Sequence, residues 1–194
     1  AGAGGGGAGG DGSGGNGTVG SANTGGGGGG GGCGPSSTIS GAGGSGVVIL
    51  RSSQYLSTDS ACAPVNSPDG GTSTFIATFN ASANLTIGGI PGNGLDYLVV
   101  GGGGAGGGYN GSGTVGGGGG GAGGWRSSFP GGTKVFLETG TNYVTIGAGG
   151  SAATQDRGGT GTDSFVGYIT SAGGGGGGLN LGTPALTYLG KSGG

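Results

Sequence analysis

Few side chains in this sequence could do chemistry, and their spacing does not assemble a reaction centre. Histidine is absent, which removes the usual general base, the histidine-containing nucleophilic triads and most zinc sites. None of the acidic residues has the D-x-D spacing of a calcium loop. We therefore expect a protein that is not an enzyme, with no catalytic residue, no cofactor and no metal site. The seven acidic residues are Asp11, Asp59, Asp69, Asp96, Glu138, Asp156 and Asp163.

Two stretches resemble phosphate-binding motifs without meeting their requirements. Residues 101–106 satisfy the pattern G-x-G-x-x-G after an apolar segment. A dinucleotide site also needs a helix to begin there, so that backbone N–H groups point at the pyrophosphate, whereas more glycine follows. Residues 190–192 (GKS) match the end of a phosphate-binding loop, but Ala185 stands where that motif requires glycine. Neither stretch predicts a nucleotide site.

Cys33 and Cys62 are the only cysteines in the sequence. An even pair in a chain that lacks histidine favours one disulfide, and hence an exported protein. Two free thiols in a reducing compartment are the alternative. A bond between the two cysteines would stabilise the fold by about 3 kcal/mol through loop-closure entropy.

Asparagines in the pattern N-x-[ST] are candidate glycosylation sites in a host that has the machinery. Chance matches and turn-forming roles are the alternative explanation, which we prefer. The four residues are Asn16, Asn80, Asn84 and Asn110.

Aromatic side chains beside glycine could stack on sugar rings, as the surface of an adhesin requires. They could also cap glycine segments and shield their hydrogen bonds from water. For Trp125 we favour the capping role, because Arg126 and Phe129 nearby indicate a local apolar cluster. The other aromatic residues in such positions are Tyr55, Tyr109 and Tyr188.

Glycine makes up 68 of the 194 residues and occurs in unbroken runs. Glycine loses more conformational freedom on folding than any other residue, so such runs stay disordered unless many backbone hydrogen bonds hold them. A polyglycine II helix has three residues per turn and directs its N–H and C=O groups towards neighbouring helices. Collagen is excluded, because the glycines are contiguous and only six prolines occur. The longest runs are residues 25–32, 101–104, 116–121 and 173–178.

Short apolar segments between the glycine runs favour a rigid bundle over a flexible spacer, because a linker would not keep them. Several have the period of a β-strand, and no stretch has the 3.6-residue period of an α-helix. We therefore predict an all-β fold, a small β-sandwich combined with a polyglycine II helix bundle and essentially no α-helix. We also predict two hairpins, one joining 74–79 to 84–87 and one joining 134–137 to 143–146. The other predicted strands are residues 47–51, 95–100 and 165–169.

Charge and hydropathy limit the partners of the chain. The net charge is −2, and the five lysines and arginines stand singly, so no basic patch predicts nucleic-acid binding. No apolar run approaches the roughly 18 residues of a membrane span. Because the sequence begins with Ala1 and shows no signal peptide, we expect a mature product or a segment of a longer protein.

An ordered set of motifs points to a known family. Residues 75–100, FIATFNASANLTIGGIPGNGLDYLVV, lead directly into GGGGAGGG. GAGGWR follows at 121–126, YVTIGAGG at 143–150 and SFVGYIT at 164–170. The set resembles the glycine-rich domains of bacteriophage tail-fibre proteins and bacterial surface proteins, and the resemblance covers most of the chain. It implies a non-enzymatic role outside the cell.

The order of the motifs departs from that family. Its closing pattern, a glycine run followed by GAGGSGVVI, stands here at the front, in residues 23–32 and 41–51. The sequence therefore looks circularly permuted, and joining Gly194 of one copy to Ala1 of another would rebuild one family domain. We divide the chain into 1–53, a glycine-rich segment ending in a strand that completes a neighbouring domain or repeat; 54–71, an irregular connector; and 72–194, β-hairpins and a glycine-rich bundle.

The circularly permuted order of the motifs favours self-assembly of the chain. A head-to-tail contact that does not close on itself produces an open filament, whereas a chain that folds back into a permuted monomer is the alternative. The copies are either separate subunits or tandem repeats of one polypeptide. The candidate assembly strand, which would add to a neighbour, consists of Val47, Val48, Ile49 and Leu50.

We therefore expect a non-enzymatic extracellular structural protein at a cell or virion surface. In this interpretation it is a subunit or repeat of a filament or surface fibre, and its partners are copies of itself. The alternative is a receptor-binding adhesin of a phage tail fibre, whose partner is a host-surface glycan or protein.

Overall fold

Two antiparallel β-sheets and a bundle of glycine helices make up the fold. The computed structural model describes residues 4–53, 56–58, 67–68, 74–87, 94–110, 115–179, 190 and 193. These residues form ten strands and no α-helix, which confirms the predicted all-β class. The strands are β1 (Val47–Ser52), β2 (Ser57–Thr58), β3 (Ser67–Pro68), β4 (Phe75–Phe79), β5 (Ala83–Ile87), β6 (Asp96–Val100), β7 (Trp125–Ser127), β8 (Gly140–Thr145), β9 (Ser164–Val166) and β10 (Ile169–Ser171).

The two sheets pack around one apolar core. The first has the strand order β3-β4-β1-β6-β7 and the second the order β10-β9-β8-β5-β2. Strand β1 shows how the period-2 pattern builds the core: Val48 and Leu50 are fully buried, while Ile49 and Arg51 are partly exposed on the outer face. The core consists of Val48, Leu50, Leu56, Ala77, Phe79, Ala83, Leu85, Ile87, Leu95, Val99, Val135, Leu137, Val144 and Val166.

Both predicted hairpins are wrong. Strand β4 pairs with β1 in the first sheet, whereas β5 pairs with β8 in the second, so the turn between β4 and β5 carries the chain across the sandwich. Residues 134–137 form no strand, because Val135 makes only an isolated bridge with Leu95. An alternating apolar pattern shows which face of a strand is buried, but it does not identify the strand that pairs with it.

One predicted strand is two strands. Residues 165–169 lie in a hairpin of β9 and β10, and its turn contains Gly167 with a φ of +56°. Glycine adopts this left-handed conformation without steric cost. Of the predicted connector 54–71, the described residues show Leu56 and the two-residue strands β2 and β3.

Glycine-rich segments of the described chain lie side by side and bond to one another through the backbone. Gly101, Gly104 and Gly107 donate to one neighbouring segment. Gly102 and Ala105, one residue farther along, donate to a second. This three-residue repeat is that of a polyglycine II helix, and it confirms the predicted bundle. The nine segments are PG1 (4–10), PG2 (14–21), PG3 (25–32), PG4 (40–46), PG5 (101–108), PG6 (116–124), PG7 (147–153), PG8 (156–163) and PG9 (172–178).

PG5 lies at the centre of the bundle. It exchanges hydrogen bonds with six neighbours, in the order PG3, PG4, PG7, PG8, PG9 and PG6, and each of these bonds to the next around the ring. The seven segments therefore form a closed hexagon. PG1 and PG2 extend the lattice beyond PG3 and PG4.

Close approach of the backbones explains why the bundle needs glycine. A Cβ atom on Gly104 would overlap the carbonyl oxygen of Gly175, and one on Gly28 would overlap that of Gly41. Neither Gly104 nor Gly28 has a positive φ, so any residue could adopt their backbone angles. The requirement for glycine at these positions is therefore steric.

The strands continue directly into glycine segments. PG4, PG6 and PG8 lead into β1, β7 and β9, while β6, β8 and β10 lead into PG5, PG7 and PG9. Antiparallel strands thus produce glycine segments of alternating direction at one end of the sandwich. The turns after residues 10, 32, 108 and 153 lie together at the other end of the bundle, which we call the distal end.

We expect Gly104→Ala to lower the free energy of unfolding by about 3 kcal/mol, because the new methyl group collides with a rigid backbone at the centre of the bundle. The matched control is Gly119→Ala in PG6, where the nearest atom to a Cβ is the carbonyl oxygen of Gly28 at 3.8 Å. There we expect a stabilisation of about 0.4–1 kcal/mol from the stiffer unfolded chain. Chemical unfolding of both variants measures the difference, and equal effects would contradict the packed bundle.

Candidate functional site

The predicted assembly strand lies inside this chain's own first sheet. Strand β1 pairs with β4 on one side and β6 on the other, with Val48 opposite Phe79 and Val99. The glycine segments of residues 1–53 bond in the same way to PG5, PG6 and PG7 of their own chain. Residues 1–53 therefore complete the fold of the chain to which they belong, and strand addition between copies stays a prediction.

Cys33 lies in the distal turn between PG3 and PG4. It is half-buried, and its Sγ atom is 3.9 Å from the carbonyl oxygen of Gly12. Cys62 lies outside the described residues. The disulfide between the two therefore stays a prediction.

The candidate glycosylation sites are dispersed over the molecule. The Asn16 side chain accepts a hydrogen bond of 2.9 Å from the Ile39 N–H and so ties PG2 to the start of PG4. Asn80 lies exposed in the turn between β4 and β5, Asn84 lies within β5, and Asn110 follows PG5 at the distal end. Of the four, Asn80 has the setting of an accessible loop acceptor.

Tyr109 directly follows PG5, the central segment, at the distal end of the bundle. It is fully buried, and its backbone exchanges hydrogen bonds of 3.2 and 3.3 Å with Thr38. Burial leaves this ring no surface for stacking on a sugar, and its capping role stays a prediction.

The exposed distal turn between PG1 and PG2 is held by a carboxylate. Asp11 Oδ1 accepts hydrogen bonds from the N–H groups of Ser13 and Gly15, at 3.2 and 3.0 Å. A hydrogen bond from the Ser13 side chain and these backbone bonds hold the pKa of Asp11 below its ordinary value of 3.8. The charged form of Asp11 is therefore the form that stabilises the turn.

A cleft lies on the outer face of the first sheet, at the end of the sandwich away from the bundle. Its volume is about 230 Å³, and its floor consists of the outward-facing residues Ile49, Ile76 and Leu98 on three adjacent strands. Phe129 forms one wall. A second, more polar cavity of about 160 Å³ shares two lining residues with the cleft, Arg51 and Asp96.

The polar end of this cleft is built around Asp96. Its carboxylate accepts a hydrogen bond of 3.0 Å from Ser128 Oγ and lies 3.7 Å from Lys134 Nζ. Ser128 Oγ in turn accepts a hydrogen bond of 2.9 Å from the Tyr97 N–H. This arrangement holds the chain after β7 against the start of β6, and it leaves an apolar surface with charged groups at one end.

Trp125 and Phe129 do not form the local apolar cluster that we predicted. Their side chains are 71% and 66% exposed, because β7 is an edge strand of the first sheet and no described segment covers its outer face.

The cleft was not predicted from the sequence, because apolar residues lie on both faces of the strands that form its floor. One face of β1 contacts the core, and the other forms part of the cleft floor. Apolar residues on both faces of β1 and β6 were the available signal.

The cleft and the neighbouring cavity are suited to binding a ligand. Among the described residues no group of three or more histidine, cysteine, aspartate or glutamate side chains is placed to hold a metal ion. The cleft suits an amphipathic group, since aliphatic side chains and Phe129 line one part and Arg51 and Asp96 the other. The part of the chain that the structure describes contains no helix that could cross a bilayer.

These features define the class of the molecule: an all-β protein whose strands are extended by a packed bundle of glycine helices. The chain belongs to the glycine-rich domain family, whose model matches residues 78–194. The match includes PG5 to PG9 and leaves out residues 1–77. No curated protein and no solved structure matches the chain.

Acid should weaken the distal turn in a way that depends on Asp11. Because folding lowers the pKa of Asp11, its stabilising effect is fully present above the ordinary value of 3.8 and is lost as the pH falls through the lower, folded value. We expect the carboxyl of Asp11 to titrate below 3.8 in an NMR pH series. Asp11→Asn keeps a side-chain acceptor without a charge, so its thermal midpoint should fall less than that of the wild type between about pH 5 and pH 2. A titration midpoint at or above 3.8 would refute the argument.

Proposed function

We propose that this protein is a non-enzymatic structural protein outside the cell, a subunit or repeat of a filament or surface fibre that assembles head-to-tail with copies of itself. The observation that supports the proposal is the division of the fold between two parts of the chain. Residues 1–53 supply four of the nine glycine segments and the central strand of the first sheet. The region that matches the family, residues 78–194, supplies the other five segments.

The contact between these two parts of the chain can also form between two copies of the molecule. It consists of backbone hydrogen bonds between glycine segments, the pairings of β1 with β4 and β6, and the burial of Val48 and Leu50 in the core. Residues 1–53 of a second copy offer the same groups in the same order. Exchange of this segment between copies keeps every contact, and an open filament forms where each copy passes its segment to the next and the series does not close on itself. The protein concentration then decides between closed monomer and open filament.

Rigidity supports a role in a fibre. The hexagonal bundle fixes each strand end of the sandwich in a lattice of hydrogen bonds. A rod of this kind transmits force along its axis and holds its two ends at a constant separation, which a flexible glycine linker could not do.

A cross-link tests the exchange of the segment. Ile49 and Leu98 are direct partners on β1 and β6, so cysteines at both positions lie within the distance that a disulfide spans. The variant Ile49→Cys with Leu98→Cys, in a background where Cys33 and Cys62 are serine, is oxidised at low concentration and then concentrated. We expect filaments in electron micrographs of the background protein, about tenfold fewer or none after oxidation, and recovery after reduction.

The control is the single variant Ile49→Cys, which cannot lock the strand and should assemble as the background does. Filaments from the fully locked protein would show that β1 is not exchanged. Compact monomers at every concentration, in the background protein as well, would overturn the filament proposal itself.

The alternative proposal, a receptor-binding adhesin of a phage tail fibre, is favoured by one observation. Trp125 and Phe129 expose aromatic surface beside the apolar cleft, and such rings can stack on the apolar faces of sugars. An adhesin would lose glycan binding on an array when Phe129→Ala and Trp125→Ala are introduced, while its assembly persists. Unchanged binding in both variants would remove this alternative.

A further inference from the structure

PG3 has five neighbours, whereas the central segment PG5 has six. It exchanges hydrogen bonds with PG1, PG2, PG4, PG5 and PG6. Among the described residues no hydrogen bond joins PG1 to PG6. In the part of the chain that the structure describes, the sixth lattice position around PG3, between PG1 and PG6, is therefore an open groove along the bundle.

The floor of this groove carries backbone N–H groups without acceptors. From Gly28 onward, two of the three rows of N–H groups on PG3 donate to PG5 and PG2. Successive residues of a threefold helix turn by about 120°, so the third row, Gly27 and Gly30, points between PG1 and PG6. Neither N–H takes part in any hydrogen bond, although both residues are buried. Backbone N–H groups are strong donors, so this row is available to an acceptor from outside the bundle.

One wall of the groove presents carbonyl oxygens from PG6. A Cβ atom on Gly27 would meet the carbonyl oxygen of Gly120, and one on Gly30 would meet that of Gly117. These two oxygens therefore lie beside the floor of the groove. Neither accepts a hydrogen bond from the described chain.

The opposite wall presents carbonyl oxygens from PG1. PG1 runs parallel to PG3, since Gly7 and Gly10 donate to Gly27 and Gly30 in ascending order. Parallel threefold helices in register direct equivalent rows in equivalent directions. The carbonyl groups of Gly7 and Gly10 therefore point into the groove, in the same direction in which the corresponding row of carbonyl groups on PG3 points at PG6. These oxygens also accept no hydrogen bond from the described chain.

We propose that this groove binds a polyglycine II segment supplied by a second copy of this chain. A glycine helix lying parallel to PG3 would donate one row of N–H groups to each wall and accept from Gly27 and Gly30 with its carbonyl row. It would also become the sixth neighbour of PG3. Only a chain with a three-residue repeat and no side chains facing the walls matches this pattern, and such segments make up the bundle of this protein itself.

The inference rests on the proposed self-assembly and names a surface for it. Two positions allow the groove to be filled without disturbing the bundle. A Cβ on Gly9 has as its nearest atom the carbonyl oxygen of Gly30, and a Cβ on Gly119 has that of Gly28, both at 3.8 Å. Neither Gly9 nor Gly119 has a positive φ. Leucine at either position should therefore occupy the groove while the fold persists.

The experiment compares Gly9→Leu and Gly119→Leu with the wild type by sedimentation velocity over a range of concentrations. Loss of several backbone hydrogen bonds should raise the dissociation constant for self-association about tenfold or more in each variant. The control is Val19→Leu on PG2, where the side chain is 67% exposed away from the groove, and it should associate as the wild type does. Circular dichroism and thermal unfolding of each variant establish that it is folded.

Amide hydrogen exchange followed by NMR gives a second readout at the floor of the groove. Exchange at Gly27 and Gly30 should slow about tenfold or more as the wild-type protein is concentrated, and should not slow in the two groove variants. Association of the groove variants at the wild-type level, or unchanged exchange at both glycines, would overturn the proposal.

A synthetic probe separates this inference from the proposed function. The probe is a peptide of eight glycines flanked by lysines, added to dilute wild-type protein. Protection of Gly27 and Gly30 by the probe, together with concentration-dependent assembly, supports both. Protection by the probe in a chain that remains monomeric at every concentration overturns the choice of a second copy as the partner. Filaments that persist in the groove variants leave the proposed function standing and overturn the groove.

Discussion

Backbone hydrogen bonding between neighbouring glycine segments is the interaction on which the rest of this structure depends. A single amide bond contributes only about 0.5–1.5 kcal/mol net, and each ordered glycine costs more conformational entropy than any other residue. An isolated glycine helix is therefore unstable. Stability appears when each segment has several neighbours, as PG5 does at the centre of the hexagon. The steric requirement follows, because segments close enough to bond leave no space for a Cβ atom such as that at Gly104.

The β-sandwich and the bundle stabilise each other. The strands end in glycine segments, so the sheets fix where the segments begin and which way they run. The bundle in turn holds the strand ends in place. Residues 1–53 contribute to both parts, since β1 lies at the middle of the first sheet and PG3 and PG4 lie beside PG5. The front of the chain is thus structural in the same sense as the region that matches the family.

Binding surfaces arise where this regular construction ends. The cleft lies on the outer face of the first sheet, at the end away from the bundle, and the groove on PG3 lies where the hexagonal lattice is incomplete. Side chains form the first surface and backbone groups form the second. A fibre subunit needs contacts of the second kind, which repeat along the axis, while an adhesin needs contacts of the first kind, which distinguish one ligand from another. The proposed function and its alternative thus rest on different parts of the same molecule.

By itself, the sequence determined the all-β class, the glycine bundle and the inward residues of strands such as β1, because composition and the period-2 pattern are local properties. The tertiary structure alone decided which strands and which glycine segments lie next to one another. Strands β4 and β5 belong to different sheets, residues 134–137 make one bridge through Val135, and Trp125 is exposed. The order of segments around PG5 and the groove beside Gly27 and Gly30 were likewise beyond prediction. Every residue in a glycine run offers the same N–H and C=O groups, so a run carries no information about its partner, and only the path of the whole chain selects it.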